Sequence, residues 1–161
     1  MSQTLHIKSP IRLLSLDVDG VLTDCGVYVT EKGDIMKKFN VRDGVGIRGV
    51  VKKGIPVAFI SAGKTSKLLN ARAKMLGVKF VYAGDEEKLE VMKRWCKKLK
   101  ISLNEVAHIA DDTNDINLLS AVGLSVCPND AVKEVKSIVK VILEKKGGEG
   151  CVREFIDRYL L

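Results

Sequence analysis

The stretch Ile11-Arg12-Leu13-Leu14-Ser15-Leu16-Asp17-Val18-Asp19-Gly20-Val21-Leu22-Thr23-Asp24 decides how the rest of the chain is read. It opens as a largely apolar run of strand length and then delivers two carboxylates separated by one residue and followed by glycine. Alternate side chains of an extended strand point to opposite faces. Asp17 and Asp19 therefore share a face as long as the backbone stays extended, and Val18 points away. Two acids at the end of a buried strand fit a carboxylate nucleophile, an acid/base partner and a metal better than they fit a structural turn.

Outward from that strand, short apolar runs alternate with helix-like stretches. Ile11–Leu16, Val57–Ile60, Phe80–Tyr82, Val106–Ala110, Leu124–Val126 and Val141–Leu143 read as strands. Lys64–Leu76, Glu86–Leu99, Asp115–Ala121 and Ala131–Ile138 read as helices, because apolar residues recur at every third or fourth position. Several strands are continuous and β-branched, as strands buried on both faces are. The expected fold is α/β: a doubly wound, mostly parallel, Rossmann-like sheet covered by helices on both sides. One segment breaks the alternation, since Gly26–Thr30 and Ile35–Asn40 read as a β-hairpin inserted after the first strand, around Glu31-Lys32-Gly33-Asp34. A projecting hairpin has open edges that its own domain or another subunit must cover.

The 161 residues carry a formal charge of +7 and suffice for one domain, expected to span the whole chain, 1–161. Nucleic acid is excluded as the partner of that charge. Lys and Arg are spread along segments such as Lys88–Lys100, interleaved with Glu, and the aromatics form no stacking series. No apolar stretch approaches the roughly 20 residues that span a bilayer, and Met1–Pro10 has none of the parts of a signal peptide. A cytoplasmic protein with no membrane partner is expected. Cys25, Cys96, Cys127 and Cys151 show no metal-binding spacing and read as reduced thiols. His108, inside the apolar segment Val106–Ala110, reads as a hydrogen-bonded packing residue, and His6 is given no role.

Ligands of open α/β sheets bind beyond the carboxyl ends of the strands. The polar residues at those ends are Asp17 and Asp19, then Ser61, then Asp111-Asp112-Thr113-Asn114-Asp115, with Lys88 near the start of the helix after Phe80–Tyr82. Such a set suits phosphoryl transfer, which needs a nucleophile, a proton shuttle and positive charge against the phosphate oxygens. Carboxylates gathered from separate strands repel one another, so a hard divalent cation is expected, and Mg²⁺ matches oxygen ligands and a phosphate. Asp111, the first polar residue after its strand, is the choice for the further metal ligand. Asp112 and Asp115 either support that shell or cap a helix. Ser61 either donates to phosphate or caps the helix beginning near Lys64, and Lys88 either neutralises phosphate or lies on a solvated face.

In this order the motifs resemble the haloacid-dehalogenase superfamily. Lys37-Lys38-Phe39-Asn40-Val41-Arg42-Asp43-Gly44, Lys67-Leu68-Leu69-Asn70-Ala71-Arg72 and Gly147-Gly148-Glu149-Gly150-Cys151-Val152-Arg153-Glu154 narrow the resemblance further. They look like the capless sugar-acid phosphatases that act on 3-deoxy-D-manno-octulosonate 8-phosphate in lipopolysaccharide biosynthesis, or on nonulosonate (sialic-acid-type) 9-phosphates. The resemblance implies Asp17 as nucleophile and Asp19 as acid/base. It puts Asp17, Asp19 through its carbonyl, and Asp111 on Mg²⁺, and Ser61 and Lys88 on phosphate. Arg42, Asp43 and Arg72 become candidate substrate contacts. It also implies a homotetramer through the Gly26–Asn40 hairpin, with a neighbouring subunit closing each site. Two departures stand out: Ser61-Ala62-Gly63-Lys64 lacks the Arg or Glu that marks the sugar in these enzymes, and Ala110 replaces the usual Gly before the acidic pair.

Two competing readings come from other classes. Gly63-Lys64-Thr65 looks like the end of a P-loop, but the complete pattern requires Gly five residues before Gly63, and Ala58 stands there. A catalytically silent oligomerisation module keeps this fold while losing the reactive residues. Here Asp17, Asp19, Ser61, Lys88 and Asp111 are all retained.

Overall fold

The computed structural model describes residues 9–161, so His6 lies outside the described residues. Six parallel strands form one sheet in the order β5-β4-β1-β6-β7-β8, with β1 at Leu13–Leu16, β4 at Val57–Ser61, β5 at Phe80–Ala83, β6 at Val106–Ile109, β7 at Leu124–Cys127 and β8 at Val141–Ile142. The chain runs outward from β1 in one direction through β4 and β5, then returns to the other side of β1 for β6, β7 and β8. That reversal puts the topological switch point between β1 and β6.

Successive residues of β1 feed opposite layers. Leu14 and Leu16 join a core with Ile47, Val50, Leu69, Phe155 and Ile156, whereas Leu13 joins one with Met92, Cys96 and Leu118. The first layer is built from α1 (Val41–Lys52), α2 (Ser66–Leu76) and α6 (Cys151–Tyr159), and the second from α3 (Lys88–Leu99) and α4 (Ile116–Ala121); the short α5 (Lys133–Ile138) sits over a third cluster. All four residues of β1 are buried, as a strand covered on both faces requires. No helix among the described residues is long and apolar enough to cross a membrane.

The structure corrects several boundaries. In the hairpin only Tyr28–Val29 (β2) and Ile35–Met36 (β3) pair, antiparallel, so each arm is shorter than expected. The chain around Gly33 (φ +83°) closes the turn, with Thr30 N–H bonded to the Asp34 carbonyl at 3.0 Å. The hairpin ends where Asn40 becomes the cap of α1, its side chain accepting from Arg42 N–H at 2.8 Å. Helices α2, α3, α4 and α5 each start one or two residues later than the periodicity indicates.

Helices α1 and α6 are additions to the sequence reading. Three glycines (Gly44, Gly46, Gly49) depress the helix propensity of α1. Gly46 answers to packing, because a Cβ there would press on Arg153 and Ile156 of α6 at about 3 Å. Helix α6 did carry a signal, Cys151, Val152, Phe155 and Ile156 forming one buried stripe.

Candidate active site

Asp17 follows β1 directly and its N–H bonds to the Ile109 carbonyl of β6 at 2.9 Å, which ties it to the switch point. Asp17 and Asp19 have extended backbone angles (φ −64°, ψ 162° and φ −76°, ψ 126°), but the helical segment Val18–Leu22 already begins at Val18 between them, with Gly20 at φ +80°, so the run is not one continuous strand. The two carboxylates nonetheless line one cleft, and Val18 between them is buried in the core. Gly20 serves a second end. A Cβ there would overlap the Asp111 carboxylate, so only glycine lets the loop after β6 approach the loop after β1.

The cleft holds about 180 Å³ and is lined by Asp17, Asp19, Cys25, Ser61, Asp111 and Asp112 among others. A larger hollow of about 330 Å³, near Ile55, Pro56 and Phe80, is mostly apolar and lies where β4 and β5 begin, far from these acids. Chemistry therefore favours the smaller space.

Lys88, the first residue of α3, is 3% exposed and bridges two carboxylates, with Nζ 2.9 Å from Asp17 Oδ1 and 2.6 Å from Asp115 Oδ2. It is a buried cation, not the solvated lysine that was its alternative. Burial works to lower its pKa, but the charges and hydrogen bonds of Asp17 and Asp115 outweigh burial and raise it. Asp115 is fully buried, and burial alone would raise its carboxyl. The hydrogen bond and charge of His108, with those of Lys88, hold it below the ordinary value instead. Burial first, and the Asp115 charge second, push Asp17 well above the ordinary value despite Lys88.

Asp111 is raised to about 6 by burial and by the charges of Asp112 and Asp115, a carboxyl short of positive neighbours. Asp112 and Asp115, equivalent in the sequence, separate here. Asp112 accepts from Thr113 N–H at 2.6 Å in the manner of a cap, and Asp115 points inward to His108 and Lys88. Ser61 ends β4, 4% exposed, and its Oγ accepts from Gly63 N–H at 3.0 Å. It does not cap α2, which starts at Ser66.

Three residues named from the sequence stand apart from this cleft within the chain. Asp43 is buried and accepts from Arg153 N–H at 2.8 Å, in the first turn of α6. Arg72 donates to the Asn40 carbonyl at 3.3 Å and stacks over Phe39, and Arg42 is exposed at the start of α1. Two other residues come to the site without having been named for it. Lys37, just after β3, reaches Asp19 Oδ1 at 2.6 Å, and the Cys25 thiol lies 3.7 Å from Asp111 Oδ2. Lys37 sat within a quoted motif, but nothing in its spacing reveals that the hairpin folds back over Asp19. Burial, and the charges of Asp111, Asp19 and Asp17, push the Cys25 thiol up to about 12, which keeps it a neutral thiol.

A glycine interlock closes the back of the site. Gly147 packs on the Gly20 carbonyl and Gly148 on Thr23 and Asp24, so closely that a Cβ at either would overlap backbone. Gly148 N–H bonds to the Val21 carbonyl at 3.0 Å, and Asn40 Nδ2 to the Gly148 carbonyl at 3.1 Å.

Acidic loops at the switch point of a parallel sheet, with one buried lysine between them, define a doubly wound α/β hydrolase. Residues 47–156 match the haloacid dehalogenase-like hydrolase family. The chain is 41% identical over 151 residues to the 3-deoxy-D-manno-octulosonate 8-phosphate phosphatases KdsC of Yersinia pestis and Escherichia coli K12, which covers 94% of this chain and 80% of each relative. Among solved structures, the Yersinia pestis phosphatase superposes with a TM-score of 0.90 at 40% identity, over 93% of this chain and 80% of that one. The Moraxella catarrhalis phosphatase, solved with magnesium, phosphate and 3-deoxy-D-manno-octulosonate (KDO), gives 0.89 at 32% identity, over 93% and 86%. A cobalt-bound phosphatase of Haemophilus influenzae gives 0.88 at 35% identity, over 93% and 87%. The chain belongs to the haloacid dehalogenase-like hydrolase family, and as an enzyme it is a phosphatase.

Proposed function

We propose that this phosphatase hydrolyses 3-deoxy-D-manno-octulosonate 8-phosphate through a phosphoaspartyl intermediate on Asp17, with Mg²⁺ as its cation. The observation that carries the reading is the buried bond from Lys88 to Asp17 Oδ1 beside a cleft whose other walls are Asp19, Ser61 and Asp111. Lys88 and Val18 N–H both bond to Oδ1, which leaves Oδ2 as the oxygen for attack. The 41% identity over most of the chain supports the substrate, a name those relatives carry.

Among the described residues no three His, Cys, Asp or Glu side chains gather as a metal site. The proposed set asks for two carboxylates and a carbonyl. Asp17, Asp111 and the Asp19 carbonyl are hard oxygen donors of the kind Mg²⁺ takes alongside water and phosphate, and the acidity missing from Asp111 fits an uncompensated carboxyl pair. When bound, the cation offsets phosphate charge and that of the acids around it.

In the first step Asp17 Oδ2 forms a bond to phosphorus, the bond from phosphorus to the sugar oxygen breaks, and Asp19 gives that oxygen its proton. In the second, Asp19 takes a proton from water, the water oxygen bonds to phosphorus, and the bond to Asp17 breaks to release phosphate. Ser61 and Lys88 hold the phosphate oxygens. Asp115 orients Lys88, and Asp112 orders its loop. The domain works without a cap: the hairpin exposes Val27, Tyr28, Val29 and Met36 by more than half, an apolar surface that suits a homotetramer. Arg42, Asp43 and Arg72 would take part from that shared side.

The test is a panel of sugar-acid phosphates, including a nonulosonate 9-phosphate, ranked by kcat/KM with and without Mg²⁺. The octulosonate 8-phosphate is expected to lead. A lead by the nonulosonate overturns the substrate, and no metal-dependent phosphate release from any ester turns the reading toward a silent module.

A further inference from the structure

Five polar side chains lie in line beneath the cleft, each no more than 5% exposed: Ser15, His108, Asp115, Lys88 and Asp17. The pairing of β1 with β6 sets Ser15 opposite His108, and the ring Nδ1 lies 3.0 Å from Ser15 Oγ. On the other side Nε2 lies 2.8 Å from Asp115 Oδ1, and Lys88 links Asp115 Oδ2 to Asp17. A carboxylate oxygen only accepts, so Nε2 carries the proton and donates.

We infer that His108 is a positioning residue of the reaction, setting Asp17 through Asp115 and Lys88; the inference rests on the phosphatase reading above. The physical reason is the accounting of a buried carboxylate. Asp115 has one oxygen engaged by His108 and the other by Lys88. Without the imidazole N–H, Oδ1 becomes a buried acceptor with no partner, and the carboxylate must turn or take up a proton. Either change takes from Lys88 a fixed anion on one side. The ammonium then either drifts, leaving Val18 N–H alone on Asp17 Oδ1, or leans wholly on Asp17 and pulls its carboxylate over; both change the aim of Oδ2. His108 touches neither cleft nor substrate, so its influence passes through Asp115 and Lys88 and falls chiefly on the attack by Asp17, less on the phosphate, which Ser61 also holds.

Two substitutions separate this role from packing. H108L removes the donor at similar volume, and H108Q keeps an uncharged N–H donor. Assayed on an aryl phosphate with Mg²⁺, H108L is expected to lose about tenfold or more in kcat with KM changed less than about twofold, as small misplacements of a nucleophile do. H108Q is expected to return to within about threefold of the wild type. Equal losses in both variants, tracking their melting temperatures, overturn the inference, as does an H108L enzyme with full kcat. A readout free of activity accompanies them: nitrogen-edited NMR of the imidazoles, of which the chain has two. One Nε2–H protected from exchange is expected in the wild type and is expected to lose protection in D115A. A His108 ring protonated at Nδ1 alone overturns the inference even if H108L fails to fold. A wild type without metal-dependent turnover removes the reaction itself and overturns both readings, whereas an active wild type matched by H108L overturns the relay alone.

Discussion

The floor of the cleft and the hairpin beside it are opposites. Asp17, Lys88, Asp115 and His108 are at most 5% exposed and every one bonds to another of the set. In the hairpin, Val27, Tyr28, Val29, Ile35 and Met36 are between 42% and 66% exposed, and only two residues of each arm pair. The floor is therefore specified by contacts within this chain, whereas the hairpin displays apolar surface that the other described residues leave uncovered. Lys37 is the point at which the two meet, since it leaves the end of β3 and reaches Asp19.

The contrast breaks most sharply at Asp17. Asp17→Asn is expected to lower turnover by roughly four orders of magnitude or more while circular dichroism stays unchanged; a variant with near-normal rate removes Asp17 as nucleophile. Lys88→Met leaves two buried carboxylates without their cation and is expected to destabilise by about 3–5 kcal/mol in urea titrations, as loss of one member of a buried pair does. Unchanged stability would make the floor less tightly determined than its distances imply.

Asp43, buried where α1 meets α6 and apart from the cleft within the chain, tests the cost of burial. Burial raises its carboxyl from 3.8 to about 6. The folded chain thus holds that proton more firmly than the unfolded chain. Its contribution to stability is greatest at low pH, declines as pH rises from about 4 to about 6, and stays lower above that, by up to about 3 kcal/mol. Asp43→Asn is expected to flatten this slope in melts between pH 4 and 8, and an unaltered slope would assign the pH dependence elsewhere. The smallest effect belongs to the hairpin: Val29→Asp is expected to reduce the mass seen by light scattering to that of one chain and to lower kcat/KM by about tenfold, with the floor intact. A wild type that is already a monomer would dissolve the contrast.

What the sequence made legible follows the same division. The strand runs and the acids at their ends are local patterns, and β1, β4, β6 and β7 lie within a residue or two of where the apolar runs put them. Helix α1 was hidden by its glycines, which serve close packing against a distant α6. Asp112 and Asp115 were indistinguishable because only the pairing of β6 with its neighbours decides which one turns inward. Lys88 and His108 look alike in one respect: each is an ordinary residue by composition whose farthest bonded partner lies 71 and 93 residues away, respectively. Lys37 was out of reach for the same reason, since the direction in which a hairpin folds is not written in its own turn.

The glycine interlock has a consequence in time. The turn that carries Asp19 is held from behind by Gly147 and Gly148, and α6 then binds α1 through Asp43 and Gly46. On the ribosome the acids at 17 and 19 emerge more than a hundred residues before their backing at 147 and 148. A nascent chain thus carries its reactive groups long before it can aim them, and a chain cut off ahead of Gly147 is expected to keep every acid of the centre and lose its backing.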